Sequence, residues 1–193
     1  MDDRLSVFMA RAERLMERIE MALPHGLQEP DWSQSIAFRY RRRRSGQGVV
    51  TPIAHVGAMR LDDLREVDDQ KEKLRRNTEQ FVRGLPANNV LLTGARGTGK
   101  SSLIRACLHA YAEQGLRLVE VDKAELVDLQ DIVELVAQRP ERFVIFCDDL
   151  SFDEGESGYK ALKSVLDGSV AATTPNVLIY ATSNRRHLLP EYM

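Results

Sequence analysis

Apolar residues near the start of the chain recur at steps of three and four: Leu5, Phe8, Met9, Ala12, Leu15, Met16 and Ile19. That spacing predicts an amphipathic helix, with Arg11, Glu13, Arg14, Glu17 and Glu20 on its other side and Pro24 and Gly26 as its stop. Such a stripe is expected to pack on its own domain. Residues 24–60 show no sustained periodicity and contain Pro24, Pro30 and Pro52, which reads as an irregular connecting arm. From Leu61 the pattern becomes regular. A helix is predicted over 68–83, with Leu74, Phe81 and Val82 as core contacts and Gly84-Leu85-Pro86 as its end. Short apolar runs at Val90–Thr93, Leu116–Val121, Phe143–Cys147 and Val177–Ala181 predict strands. Helices are predicted between them, through Ser102–Ala106, over Leu129–Ala137, and from about Tyr159 to Leu166 with Gly168 as the closing residue. Strands that alternate with helices and are apolar on both faces imply a parallel sheet covered on each side. The expected architecture is a three-layer α/β/α core over 61–193, preceded by a helical arm and linker over 1–60.

Composition changes this picture little. The 193 residues carry 43% hydrophobic and 29% charged side chains with a net charge of −2, as an ordinary globular domain does. Overall charge therefore drives the chain toward neither nucleic acid nor a membrane. Cys107 and Cys147 sit in apolar surroundings and read as small buried hydrophobes, without metal or disulfide spacing. The opening Met1-Asp2-Asp3 does not look like a secretory signal, and no apolar run is long enough to span a bilayer. A cytoplasmic location is expected, with no membrane partner.

The chemistry is concentrated after the first apolar run of the core. Gly94-Ala95-Arg96-Gly97-Thr98-Gly99-Lys100-Ser101 matches the phosphate-binding pattern G-x-x-x-x-G-K-[ST] at every fixed position, and Ser102 follows it. Glycines let backbone N–H groups approach phosphate where a side chain would clash, and the helix that begins near Lys100 turns its positive end on the same anion. Lys100 can reach the β- and γ-phosphates, and the Ser101 hydroxyl can ligate Mg²⁺. The cofactors expected are ATP and Mg²⁺. The loop lies between a strand and a helix, where this mechanism needs it.

Two further strand ends are polar. Asp148 and Asp149 follow the run Phe143–Cys147, at the carboxyl end of a buried strand where open α/β sheets bind ligands. Asp148 can hold the magnesium through a water, and Asp149 can orient or deprotonate an attacking water. The commoner residue at the second position is glutamate, one methylene longer, so slow hydrolysis is expected. Asn184 closes the last apolar run and is placed to sense the γ-phosphate and steady that water.

These residues resemble a bacterial family of AAA+-like P-loop ATPases, the domain of unknown function numbered 815. The likeness is carried by Leu61-Asp62-Asp63-Leu64, by Asn88 through Ser102, by Cys147-Asp148-Asp149-Leu150-Ser151-Phe152, and by Thr182-Ser183-Asn184-Arg185-Arg186-His187-Leu188. The resemblance implies Walker A at Gly94–Ser101, Walker B at Asp148 and Asp149, sensor 1 at Asn184, and Leu64 and Val67 against the adenine. It also implies that the Asp-Asp ending is usual. A complete AAA+ module would continue into another strand, an arginine finger and a helical lid. With Met193 soon after Asn184, the expectation is a core truncated after sensor 1, its C-terminal lid missing and its turnover weak. Homo-oligomerisation is expected only for the full module.

The function expected is ATP hydrolysis that remodels or regulates an unidentified protein client, with ADP as product. The alternatives are a non-hydrolysing ATP-dependent switch and a DNA-associated ATPase resembling helicase loaders. The basic run Arg39-Tyr40-Arg41-Arg42-Arg43-Arg44, preceded by Trp32 and Phe38, is where nucleic acid would bind. A solvated basic stretch is the favoured account of it, given the slightly negative whole. His25, His55, His109 and His187 share no metal or catalytic spacing.

Overall fold

Each apolar run is too short for a buried helix and becomes a strand, and each following amphipathic segment returns its apolar side to the sheet. The computed structural model describes residues 7–9, 11–16, 18, 27–153, 156–166 and 174–185. In chain order its regular elements are β1 (Ala37–Arg42), β2 (Gly48–Pro52), α1 (Asp68–Val82), β3 (Val90–Thr93), α2 (Lys100–Tyr111), β4 (Leu116–Val121), α3 (Leu129–Val136), β5 (Arg142–Cys147), α4 (Ser157–Leu166) and β6 (Val177–Ser183). The strands form one sheet in the order β2-β1-β4-β5-β6-β3. Every neighbouring pair is parallel except β1 and β2.

Alternation along the strands divides the core in two. Phe143, Ile145 and Cys147 of β5 face Ile132 and Val136 of α3 and Leu162 and Val165 of α4. Val144 and Phe146 face the other way, onto Leu74 and Phe81 of α1 and Leu103, Ile104 and Leu108 of α2. Helices therefore cover both faces of the sheet, as the three-layer α/β/α expectation required.

The irregular arm expected over 24–60 is corrected. Residues 37–52 form a β-hairpin that joins the sheet, with Tyr40 opposite Val121 in β4 and Arg42 opposite Gly48 in β2. Its period-two signal is Phe38 and Tyr40, exposed by only 0% and 2%, between arginines. Trp32 closes the far end by packing edge-on against Phe38 and Phe143, at centroid distances of 4.6 and 4.7 Å. Gly48 is needed because the Tyr40 ring lies where its Cβ would be. The fully parallel sheet is corrected with it: a tight turn at residues 43–47 forces β2 antiparallel on an edge.

The described part of the N-terminal stretch is helical, but Val7, Phe8, Met9, Leu15 and Met16 are exposed rather than packed on the domain. Leu5, Ile19, Gly168, Arg186, His187 and Leu188 lie outside the described residues. Among the described residues no helix is long and apolar enough to cross a membrane.

Candidate functional site

Strand register assembles the site. Thr93 of β3 pairs with Ser183 of β6, and Ala181 of β6 pairs with Cys147 of β5. The carboxyl ends of three strands thus meet at one edge of the sheet. There β3 runs into the glycine-rich loop, whose Gly94 N–H donates to the Ser183 carbonyl at 3.2 Å. Gly97 and Gly99 have φ of 83° and 82°, the left-handed region open to glycine at no steric cost. Gly99 is also the residue before α2, so the turn delivers the helix N-terminus directly behind the loop.

Side chains join this edge through two hydrogen-bonded sets. Lys100 Nζ donates to the carbonyls of Gly94 and Ala95, both at 2.8 Å, and to Asn184 Oδ1 at 3.0 Å. The Asn184 amide donates in turn to Asp149 Oδ1. Ser101 Oγ donates to Asp148 Oδ1 at 2.6 Å. Thr98 Oγ1 donates to the Ala95 carbonyl at 2.9 Å and closes the loop on itself. Arg96, Gly97, Gly99, Lys100, Ser101, Ser102, Asp148, Asp149 and Asn184 all line one cavity of about 310 Å³. The structure brings together every site residue read from the sequence.

Leu64 reaches over Gly99, with its Cδ2 3.9 Å from where a Cβ would stand, and its carbonyl accepts from Lys71 Nζ at 3.0 Å. Val67 and Gln70 line a second cavity, about 370 Å³, whose other wall includes Thr98, Gly99 and Leu103. A third cavity of about 390 Å³ lies beside Ser102, and three of its charged lining residues are paired with one another: Glu120 accepts from Arg39 at 2.6 Å and Arg105 at 3.2 Å.

Sequence reading passed over Thr182. It is 1% exposed, and its hydroxyl donates to Asp148 Oδ1 at 2.5 Å while accepting the Asp149 N–H at 2.9 Å. The turn is fastened again by Leu150 N–H to the Thr182 carbonyl, 2.7 Å, and by Ser183 Oγ to the Leu150 carbonyl, 2.6 Å. Asp149 itself sits at φ 53°, in the left-handed region that aspartate tolerates better than most residues. The available signal was a polar side chain at a strand position where the core asks for an apolar one.

The donor set fits magnesium. Ser101 Oγ and Asp148 Oδ1 are hard oxygens already in contact, one on the helix that follows the loop and one on the neighbouring strand end.

The model of the family described as Protein of unknown function (DUF815) matches residues 33–193. The chain belongs to that family. The DUF815 chain is also 33% identical over 75 residues to the replication factor C large subunit of Sulfolobus acidocaldarius, over 38% of this chain and 17% of that protein. A RuvB variant from Thermotoga maritima superposes with a TM-score of 0.51 at 22% identity, over 70% of this chain and 44% of the other. DnaA from Aquifex aeolicus, bound to AMPPCP, gives a TM-score of 0.47 at 15% identity, over 65% and 42%. The chain spans less than half the length of each of these proteins. Its fold is that of the AAA+ P-loop NTPases.

Proposed function

We propose that this DUF815 chain binds ATP with Mg²⁺ at the Gly94–Ser102 loop and hydrolyses it, coupling the nucleotide state to a protein client. One observation carries the reading: Lys100, Asn184 and Asp149 form one hydrogen-bonded chain, Ser101 and Asp148 another, and the two meet at a single edge of the sheet. The loop N–H groups and the α2 N-terminus hold the phosphates. Lys100 exchanges the Gly94 and Ala95 carbonyls for β- and γ-phosphate oxygens. Ser101 and Asp148 would hold Mg²⁺, which supplies charge neutralisation at the phosphates. Asp149 accepts the proton of a water whose oxygen bonds to the γ-phosphorus as the bond to the bridging oxygen breaks, giving ADP and phosphate. Asn184 fixes that water through its amide. Leu64 and Val67 lie against the adenine.

Calorimetry and phosphate release test this together. Lys100→Ala is expected to abolish ATP binding. Asp149→Ala is expected to keep binding and lose phosphate release by two to four orders of magnitude, roughly the contribution of a positioned acid–base group. Release from wild type no greater than background would leave only a non-hydrolysing switch. Equal release above background from wild type and Asp149→Ala would remove Asp149 as the base, and no binding heat from the folded wild type would remove both readings.

A further inference from the structure

From Trp32 to Leu61 the sequence contains no aspartate or glutamate and carries Arg39, Arg41, Arg42, Arg43, Arg44 and Arg60. The fold sorts the arginines of β1 and its turn into two sets. Arg39 pairs with Glu120 at 2.6 Å, and Arg42 pairs with Asp128. The side chains of Arg41, Arg43 and Arg44 are exposed and have no partner among the described residues. Nothing in the hairpin offsets their charge.

Their scaffold is rigid. Phe38 and Tyr40 are buried beneath it, and Tyr40 Oη donates to Asp128 at 2.7 Å. The turn is closed by Arg43 N–H to the Gln47 carbonyl at 2.8 Å and Gly46 N–H to the Arg43 carbonyl at 2.9 Å. Arg41, in β1, and Arg43, the first residue of the turn, are two residues apart, about 6.6 Å along an extended chain and close to the step between neighbouring phosphates. Because β1 runs parallel to β4, this tip stands at the same carboxyl end of the strands as the glycine-rich loop, four strand positions across the sheet.

We propose that the β1–β2 tip docks the sugar–phosphate backbone of duplex nucleic acid through Arg41, Arg43 and Arg44, without reading sequence. Guanidinium groups meet phosphate oxygens two at a time, and ordering them costs little on a preformed hairpin. Duplex is favoured over single strands because Trp32, Phe38 and Tyr40, the neighbouring aromatics that could stack on unpaired bases, are 3%, 0% and 2% exposed. A lipid surface fits less well: the tip residues Ser45, Gly46 and Gln47 offer no apolar side chain to insert.

Fluorescence anisotropy of the full chain with a labelled random-sequence duplex, at rising salt, tests the proposal. Three phosphate contacts give a slope of log affinity on log salt of about −2.7 for a duplex. The triple variant Arg41→Gln, Arg43→Gln, Arg44→Gln is expected to lose at least tenfold in affinity and most of that slope. Arg65→Gln, Lys73→Gln, Arg76→Gln removes equal charge from exposed positions elsewhere and is expected to bind as wild type. Arg43→Gln alone, reducing the slope by about one, serves should the triple variant fail to fold. Equal loss in both triple variants, unchanged binding in the hairpin variants, or binding to anionic vesicles but not to duplex would overturn it.

Discussion

Replacing Thr182 with valine keeps the side-chain volume and removes one hydroxyl from the point where the two acids are held. The residue is 1% exposed, so its own packing in β6 is expected to survive. Two hydrogen bonds are lost. The first is donated to the Asp148 carboxylate at 2.5 Å, and a bond to a charged group is worth about 1.5–3 kcal/mol. The second accepts the Asp149 N–H at 2.9 Å, and an amide left without a partner costs about 1–3 kcal/mol when water cannot reach it. Water does reach this edge, since Asp148 and Asp149 are both exposed. The low end of each range therefore applies, and the net loss works out at about 2.5 kcal/mol.

Urea unfolding followed by circular dichroism measures this directly. The expected result is a lower midpoint at unchanged slope, since the surface exposed on unfolding is the same. Thr182→Ser keeps the hydroxyl and is expected to recover most of the loss. A second readout separates orientation of the acids from bulk stability. Asp148 loses the donor that directs its Oδ1 toward Ser101, so ATP affinity in Thr182→Val should fall with Mg²⁺ present and match wild type in EDTA. A valine variant within about 0.5 kcal/mol of wild type, the usual scatter of silent surface substitutions, with unchanged Mg²⁺-dependent affinity, would refute the reasoning.

Two other perturbations have outcomes set by the structure. Tyr40→Phe removes the hydroxyl bonded to Asp128 while Arg42 keeps that carboxylate paired, so a loss near the low end for a charged partner, about 1.5 kcal/mol, is expected in the same unfolding assay. Burial pushes the thiols of Cys107 and Cys147 up to about 12, so neither should react with a thiol reagent in the native chain, and both should react in denaturant. The folded state holds protons that the unfolded chain releases near its ordinary thiol value of about 8.5, so stability is full below that pH and declines as pH rises toward 12. Flat stability between pH 8 and 11, or rapid native labelling, would contradict that burial.

What the sequence disclosed depended on how far each residue's partner lies along the chain. The glycine-rich loop is a local device: its glycines, Lys100 and Ser101 act within one strand–turn–helix unit, and spacing alone found them. The acids and Asn184 were legible because each ends an apolar strand, and the parallel sheet brings strand ends to one edge. Thr182 was not, because its meaning lies in Asp148 and Asp149, on a different strand. The hairpin was hidden for the same reason. Glu120 and Asp128, which accept Arg39 and Arg42, come from β4 and the turn after it.

Net charge could not have resolved that segment either. Averaged over the chain, the arginines at 39–44 look like solvated cations balanced by acids elsewhere. The sheet register makes the balance unequal: it gives acids to two of the arginines and leaves Arg41, Arg43 and Arg44 with none among the described residues. A charge count treats these residues alike, but strand pairing separates those that hold the hairpin down from those it presents. The distinction carries its own check. Arg42→Gln should lower the unfolding midpoint, because Asp128 is 8% exposed and would lose a partner, whereas Arg43→Gln should leave the midpoint where it was. If both substitutions destabilise equally, the two sets are one, and the tip is held by contacts other than those seen here.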